Sequence, residues 1–162
     1  MFNFDMSIEE IIASLLVIFL CIPVPEWAHC FAAYLLGDDT PEQLGRLTLN
    51  PLVHIDPVGA LMIFFTNFGW GRAARVNPRK MYRVKNPRVG MALTALAGPF
   101  SNIAMAMFFA LPIRIIYMYG LFSAATADRI VNLLVFPVLI NIGLAAFNLL
   151  PIPPLDGSRI LV

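Results

Sequence analysis

Residues 11–36 read IIASLLVIFLCIPVPEWAHCFAAYLL, a series that is almost wholly apolar except for Glu26 and His29. About 20 apolar residues suffice to cross the hydrocarbon of a bilayer, so this stretch predicts a transmembrane helix. Pro23 and Pro25 interrupt it. Each proline removes a backbone donor and favours a kink. A kinked helix at membrane depth is tolerated where it faces protein or a wet cavity. Ionisable groups inside such a run are costly and mark functional positions, so Glu26 and His29 are expected to face inward rather than towards lipid.

The rest of the chain extends this reading. It has 162 residues, enough for one domain, with 59% hydrophobic and 13% charged residues and a mean hydropathy of +0.78. Soluble domains run nearer 45–50% apolar and about 25% charged. A second apolar stretch, residues 55–68, is broken by Pro57 and Gly59 and is short for a span, so it reads as re-entrant, interfacial or tilted. The third, residues 91–121, is the longest and gathers Ala92, Ala95, Ala97, Gly98, Ser101 and Ala104 early. Such small residues let membrane helices approach closely. A fourth, residues 130–150, ends in PIPPLDG. The predicted fold class is an all-α integral membrane protein, a polytopic helical bundle with kinked helices. Short strand-like pieces near Leu47 and Val76 leave room for a small β-hairpin or sheet beside a cleft. Residues 1–162 read as a single transmembrane domain. Its C-terminus is expected to be cut short, because the pattern stops inside a new helix. The first ten residues carry acids and no base, unlike a secretory signal peptide, so the first run is expected to remain in the mature protein.

The net charge of +1 creates no global field for nucleic acid, but its distribution is uneven. Seven of the eleven basic residues lie in the connector 67–90, which holds no Asp or Glu. In a membrane protein such a connector is cytoplasmic; in a soluble one it would be a nucleic-acid patch. The apolar flanks favour the first reading: a multi-pass protein of the cell membrane, without a nucleic-acid partner. Cys21 and Cys30 lie nine residues apart and outside any CxxC pair, so on one helix they point to opposite faces and form no disulfide.

The polar exceptions carry the chemistry. Glu26 and His29, three apart, share a helix face. In His-Glu-x-x-His, two histidines bind zinc and the glutamate activates the bound water. Here the segment is Pro25-Glu26-Trp27-Ala28-His29, which lacks the first ligand. Alone, the pair reads equally as a hydrogen-bonded glutamate and histidine inside a bundle. Asp156, in Leu155-Asp156-Gly157, is either a turn or helix cap or a third zinc ligand. His54 is either a headgroup-level histidine bonded to Asp56 or to backbone, or a substitute ligand or supporting partner of a metal site. Gly98, Pro99 and Asn102 read as packing residues with one interhelical hydrogen bond.

Four stretches then occur in a recognisable order: EWAHCFAAYLLGDDTPEQLGRLTLNPLVHIDPVG from position 26, GWGRAARVNP from 69, ALAGPFSN from 95 and FNLLPIPPLDGSRIL from 147. The ordered set resembles the site-2 protease family of intramembrane zinc metalloproteases, in particular its compact prokaryotic members. The resemblance implies a bundle holding Zn2+ within the bilayer and a membrane protein or peptide as substrate. By position it makes Glu26 the general base, His29 and Asp156 metal ligands, and Asn148 a residue that steadies substrate or site. It also implies that the pieces near Leu47 and Val76 form a small sheet where an extended substrate can pair. The departure is Pro25, where the family has histidine; proline offers no side-chain donor or acceptor. Its consequences range from a metal site rebuilt with His54 or Glu26 to a catalytically inactive pseudoprotease that binds membrane segments. A small channel using Glu26, His29 and Asp156 as an ion path is a third reading.

Overall fold

The computed structural model describes residues 7–66, 69–153 and 155–160. The start of the basic connector, at 67 and 68, Leu161, at the end of the last quoted stretch, and Val162 lie outside the described residues. The first span is a composite. Helix α1 (Ile8–Leu16) runs into a π turn (Val17–Cys21) and then α2 (Pro23–Leu35). Ser7 and Glu10 close a reciprocal capping box at its start. The π turn has a clear cause. Pro23 and Pro25 present no N–H to the preceding turn, and the chain widens there, with Ile22 N donating to Val17 O at 3.0 Å. The wide turn sets off the segment that carries Glu26 and His29.

Short helices α3 (Thr40–Gln43), α4 (Pro51–His54) and α5 (Pro57–Thr66) follow. The two long helices are α6 (Pro87–Tyr119), which contains Pro99 and Pro112, and α7 (Ala124–Asn148), which contains Pro137. Asn-Pro pairs start three helical segments. The side chains of Asn50, Asn77 and Asn86 accept from Leu52 N, Arg79 N and Arg88 N at 3.1, 3.1 and 2.9 Å. In each case proline at the first helical position supplies the fixed φ and lacks only a donor that would go unused.

Among the described residues three helical stretches are long and apolar enough to cross a membrane: Ile8–Leu35, Pro87–Tyr119 and Ala124–Asn148. The α5 helix has 10 residues. At 1.5 Å per residue it reaches about 15 Å, half the hydrocarbon thickness, so α5 by itself is too short to cross it. Helix α6 packs against both α2 and α7, and α1 against α7. Val17, Ile18, Cys21, Ile22, Ile63 and Phe109 form the apolar centre. Both cysteines are free and buried.

The small sheet is not present among the described residues, where pairing is limited to one antiparallel bridge between Ile55 and Gly71. The piece at Leu47 is a bend, and the extended piece at Val76 has no partner strand. Side chains take its amides instead. Ala74 N donates to Glu26 Oε2 and Asn77 N to Asp38 Oδ2. Two buried or half-buried carboxylates thus replace a neighbouring strand.

Candidate active site

Glu26, His29 and Asp156 meet at one cavity of about 340 Å³, whose wall also includes Pro25, Asn102 and Asn148. The imidazole of His29 is buried between α2 and α6. Its Nδ1–H donates to the Thr94 carbonyl at 2.7 Å, which fixes the tautomer and aims Nε2 the other way. Nε2 lies 3.0 Å from Asp156 Oδ2. The ring fits because residue 98 is glycine: a Cβ there would overlap Nε2 and Cε1. Thr94, Gly98 and Asn102, four apart, form one stripe on α6 against the histidine.

Asp156 opens a 3-10 turn, Asp156–Arg159, that packs on α6. A Cβ on the buried Gly157 would collide with the carbonyls of Leu149 and Leu150. Glycine after the aspartate therefore lets the turn fold back under the end of α7 and deliver the carboxylate to His29. Asn148, the last residue of α7, is half-buried at the same cavity. Glu26 sits one turn before His29, and its carboxylate accepts from Ala74 N at 2.9 Å. The extended segment crosses α2 closely here. A Cβ on Gly71 would stand 2.6 Å from Ile22 Cγ2 and 3.2 Å from Glu26 Cγ. Arg72 N holds this crossing by donating to His54 O at 2.7 Å.

His54 is fully buried but is not in the cavity wall. Its Nε2–H donates to Thr48 O at 2.8 Å. Asp56 turns its carboxylate to Val58 N and Gly59 N instead. Burial pushes the imidazole pKa below its ordinary value. The reading of Asn102 as half of an interhelical hydrogen bond is corrected: among the described residues neither amide atom has a partner, although the side chain is 0% exposed. Sequence reading also passed over Thr94, Gly71 and Ala74. Only the four-residue spacing of Thr94, Gly98 and Asn102 offered a signal.

A catalytic zinc takes three protein ligands and keeps one position open for water. The chemistry of the donors fits at two positions. His29 Nε2 is free of its backbone bond, in the arrangement that backs metal-binding histidines, and it faces a carboxylate. Position 25, one turn earlier on the same face of α2, offers no donor. Among the described residues no group of three or more His, Cys, Asp and Glu side chains is arranged to hold a metal. The donor set is one short.

The fold and this site define a class: a helical scaffold with helices long and apolar enough to cross a membrane, around a cavity that Glu26, His29 and Asp156 line. Residues 110–162 match the family described as Peptidase family M50. The chain is 41% identical over 137 residues to "Putative zinc metalloprotease YwhC" of Bacillus subtilis, covering 84% of this chain and 61% of that protein. It is 31% identical over 142 residues to "Putative zinc metalloprotease Rip2" of Mycobacterium tuberculosis, covering 84% and 51%. It is 40% identical over 73 residues to "Putative zinc metalloprotease MJ0611" of Methanocaldococcus jannaschii, covering 41% and 31%. The chain is thus related by sequence to the M50, or site-2 protease, family. It spans between about half and two thirds of the length of the first two relatives. No solved structure matches.

Proposed function

We propose that this chain forms the catalytic region of a membrane-embedded, site-2 protease-like zinc metalloendopeptidase that hydrolyses peptide bonds in or near the bilayer. The observation that supports this best is the convergence of Glu26, His29 and Asp156, which belong to separate parts of the chain, on one cavity between membrane-length helices. When bound, a catalytic zinc supplies a water of lowered pKa and a polarised carbonyl. With Pro25 in place the donors fit such an ion at two positions, so no step is routed through it. Glu26 is the group placed to take a proton from water entering the cavity, and Asn148 to steady a peptide beside it. The polypeptide must unwind locally, because helical carbonyls are already hydrogen-bonded.

The protein lies in the cell membrane with the basic connector on the cytoplasmic side. With α5 too short to span, residues 36–66, 69–86 and Asp156 lie on that side in this reading. The site lies close to it: Thr94 is seven residues, about 10 Å, into α6. A second reading, a pseudoprotease that captures membrane segments without cutting them, is favoured by Pro25 alone.

Elemental zinc per purified chain, with cleavage of an apolar peptide in detergent, tests both readings. Pro25→His is expected to bring zinc close to one per chain and to support cleavage, and adding His29→Ala to abolish both. Cleavage and zinc in the unmodified chain would mean a rebuilt site. Neither zinc nor cleavage in any variant would sink the hydrolase reading.

A further inference from the structure

Thr94 and Asn102, which line the cavity, carry three buried polar atoms with no protein partner among the described residues: Thr94 Oγ1, Asn102 Oδ1 and Asn102 Nδ2. Thr94 is 1% and Asn102 0% exposed. Buried polar groups are nearly always hydrogen-bonded, and each orphan costs stability. An asparagine without partners on a membrane helix is the costlier case, since lipid offers nothing to bond. Packing does not account for it, because leucine has the same branched arrangement of side-chain heavy atoms without the desolvation cost.

The amide's location suggests what it meets. It sits on the same α6 stripe as Thr94 and Gly98, so it lies one helical turn beyond the glycine that makes room for His29. A carboxamide offers one acceptor and two donors, which complements the C=O and N–H of a peptide unit. Beside this polar cavity runs an apolar one of about 250 Å³, which shares Ile22, Gly69, Leu144 and Phe147 with it. At Gly143, in its wall, no atom lies within 4 Å of where a Cβ would stand. The paired cavities suit a polypeptide whose main chain enters the polar side while a bulky apolar side chain fills the other.

We infer that Asn102 is a substrate-binding residue that pairs with a main-chain peptide group of an apolar polypeptide lodged at the site. The inference rests on the peptidase reading for the ligand class but not on hydrolysis.

The test measures binding of a dye-labelled peptide of about 20 Leu and Ala residues, flanked by lysines, to the full chain in detergent micelles. A parallel series replaces single central amides with esters, which removes the N–H. Asn102→Leu is expected to weaken binding about tenfold, the effect of one lost buried hydrogen-bonded pair. One ester position should weaken binding to the unmodified chain similarly, yet have no further effect in Asn102→Leu. The free variant should melt no lower than the unmodified chain, because an orphaned amide has been removed. A lower melting temperature with unchanged binding would overturn the inference and leave Asn102 as packing or as the holder of a buried water. An unmodified chain that binds no peptide would overturn it as well. Asn102-dependent binding without cleavage by any variant would keep the inference and sink the hydrolase reading. Cleavage by Pro25→His that Asn102→Leu leaves unchanged would do the reverse.

Discussion

At the level of single residues, the site depends on what is missing from positions 98, 157 and 25. Gly98 and Gly157 lack a Cβ that would strike the His29 ring and the Leu149 and Leu150 carbonyls. Gly98→Ala should displace the imidazole and destabilise the chain by about 1–3 kcal/mol, the usual cost of overpacking. Thermal melting in detergent measures the cost, and loss of the zinc bound by Pro25→His would report the displaced ligand. Pro25 is the opposite case: its ring fits, but it brings no donor to an otherwise prepared histidine and carboxylate. His54 carries a pH dependence. Its folded pKa is depressed by burial, so the unfolded chain binds more protons. The stability it contributes is complete above the ordinary histidine pKa of about 6.5 and declines as pH falls through the lower folded value. Melting curves between about pH 7 and 5 should show this decline, and His54→Gln should flatten it.

Between elements, the extended segment 69–77 acts as a brace. It bonds to α2 through Glu26, to the chain after α2 through Asp38, and to α4 through His54 O. Asp38 is fully buried and accepts from both Thr40 N and Asn77 N. Asp38→Ala should leave two amides without their partner, at about 1–3 kcal/mol for a buried group. Released at that end, the segment should be cut faster by trypsin at Arg72 and Arg75, which limited digestion followed by mass spectrometry would detect. An unchanged rate would mean that Glu26 and His54 hold the segment by themselves. The expected strands were misread because a short strand-like piece shows at most a propensity to extend, whereas a sheet needs a partner. Here carboxylates from α2 and the turn after it reach the amides first.

For the whole molecule, the proposed topology, with three spans and a half-length α5 among the described residues, puts residue 7 and Asp156 on opposite faces of the membrane. Cysteines introduced at Arg79 and at Ser123 should therefore label from opposite sides with an impermeant maleimide, and Arg79→Cys from the cytoplasmic side. Cys21 and Cys30 are both buried, which keeps the background low. Labelling of both positions from one side would overturn this topology. In that proposed topology the cavity lies near the basic face, which gives water a shorter route than through the bilayer centre.

The sequence by itself determined the solvent, the number of long spans and the polar exceptions within them. Hydropathy adds over neighbouring residues, and the cost of a buried ionisable group shows wherever it sits, so Glu26, His29 and Asp156 were legible one at a time. Only the tertiary structure decided which of them meet. His29 lies 65 residues from Thr94 and Glu26 lies 48 from Ala74, and such pairs form only when helices pack at one register. That packing turned His54 away to Thr48, gave the amides of Ala74 and Asn77 to carboxylates instead of a sheet, and left Asn102 at the cavity with no partner among the described residues.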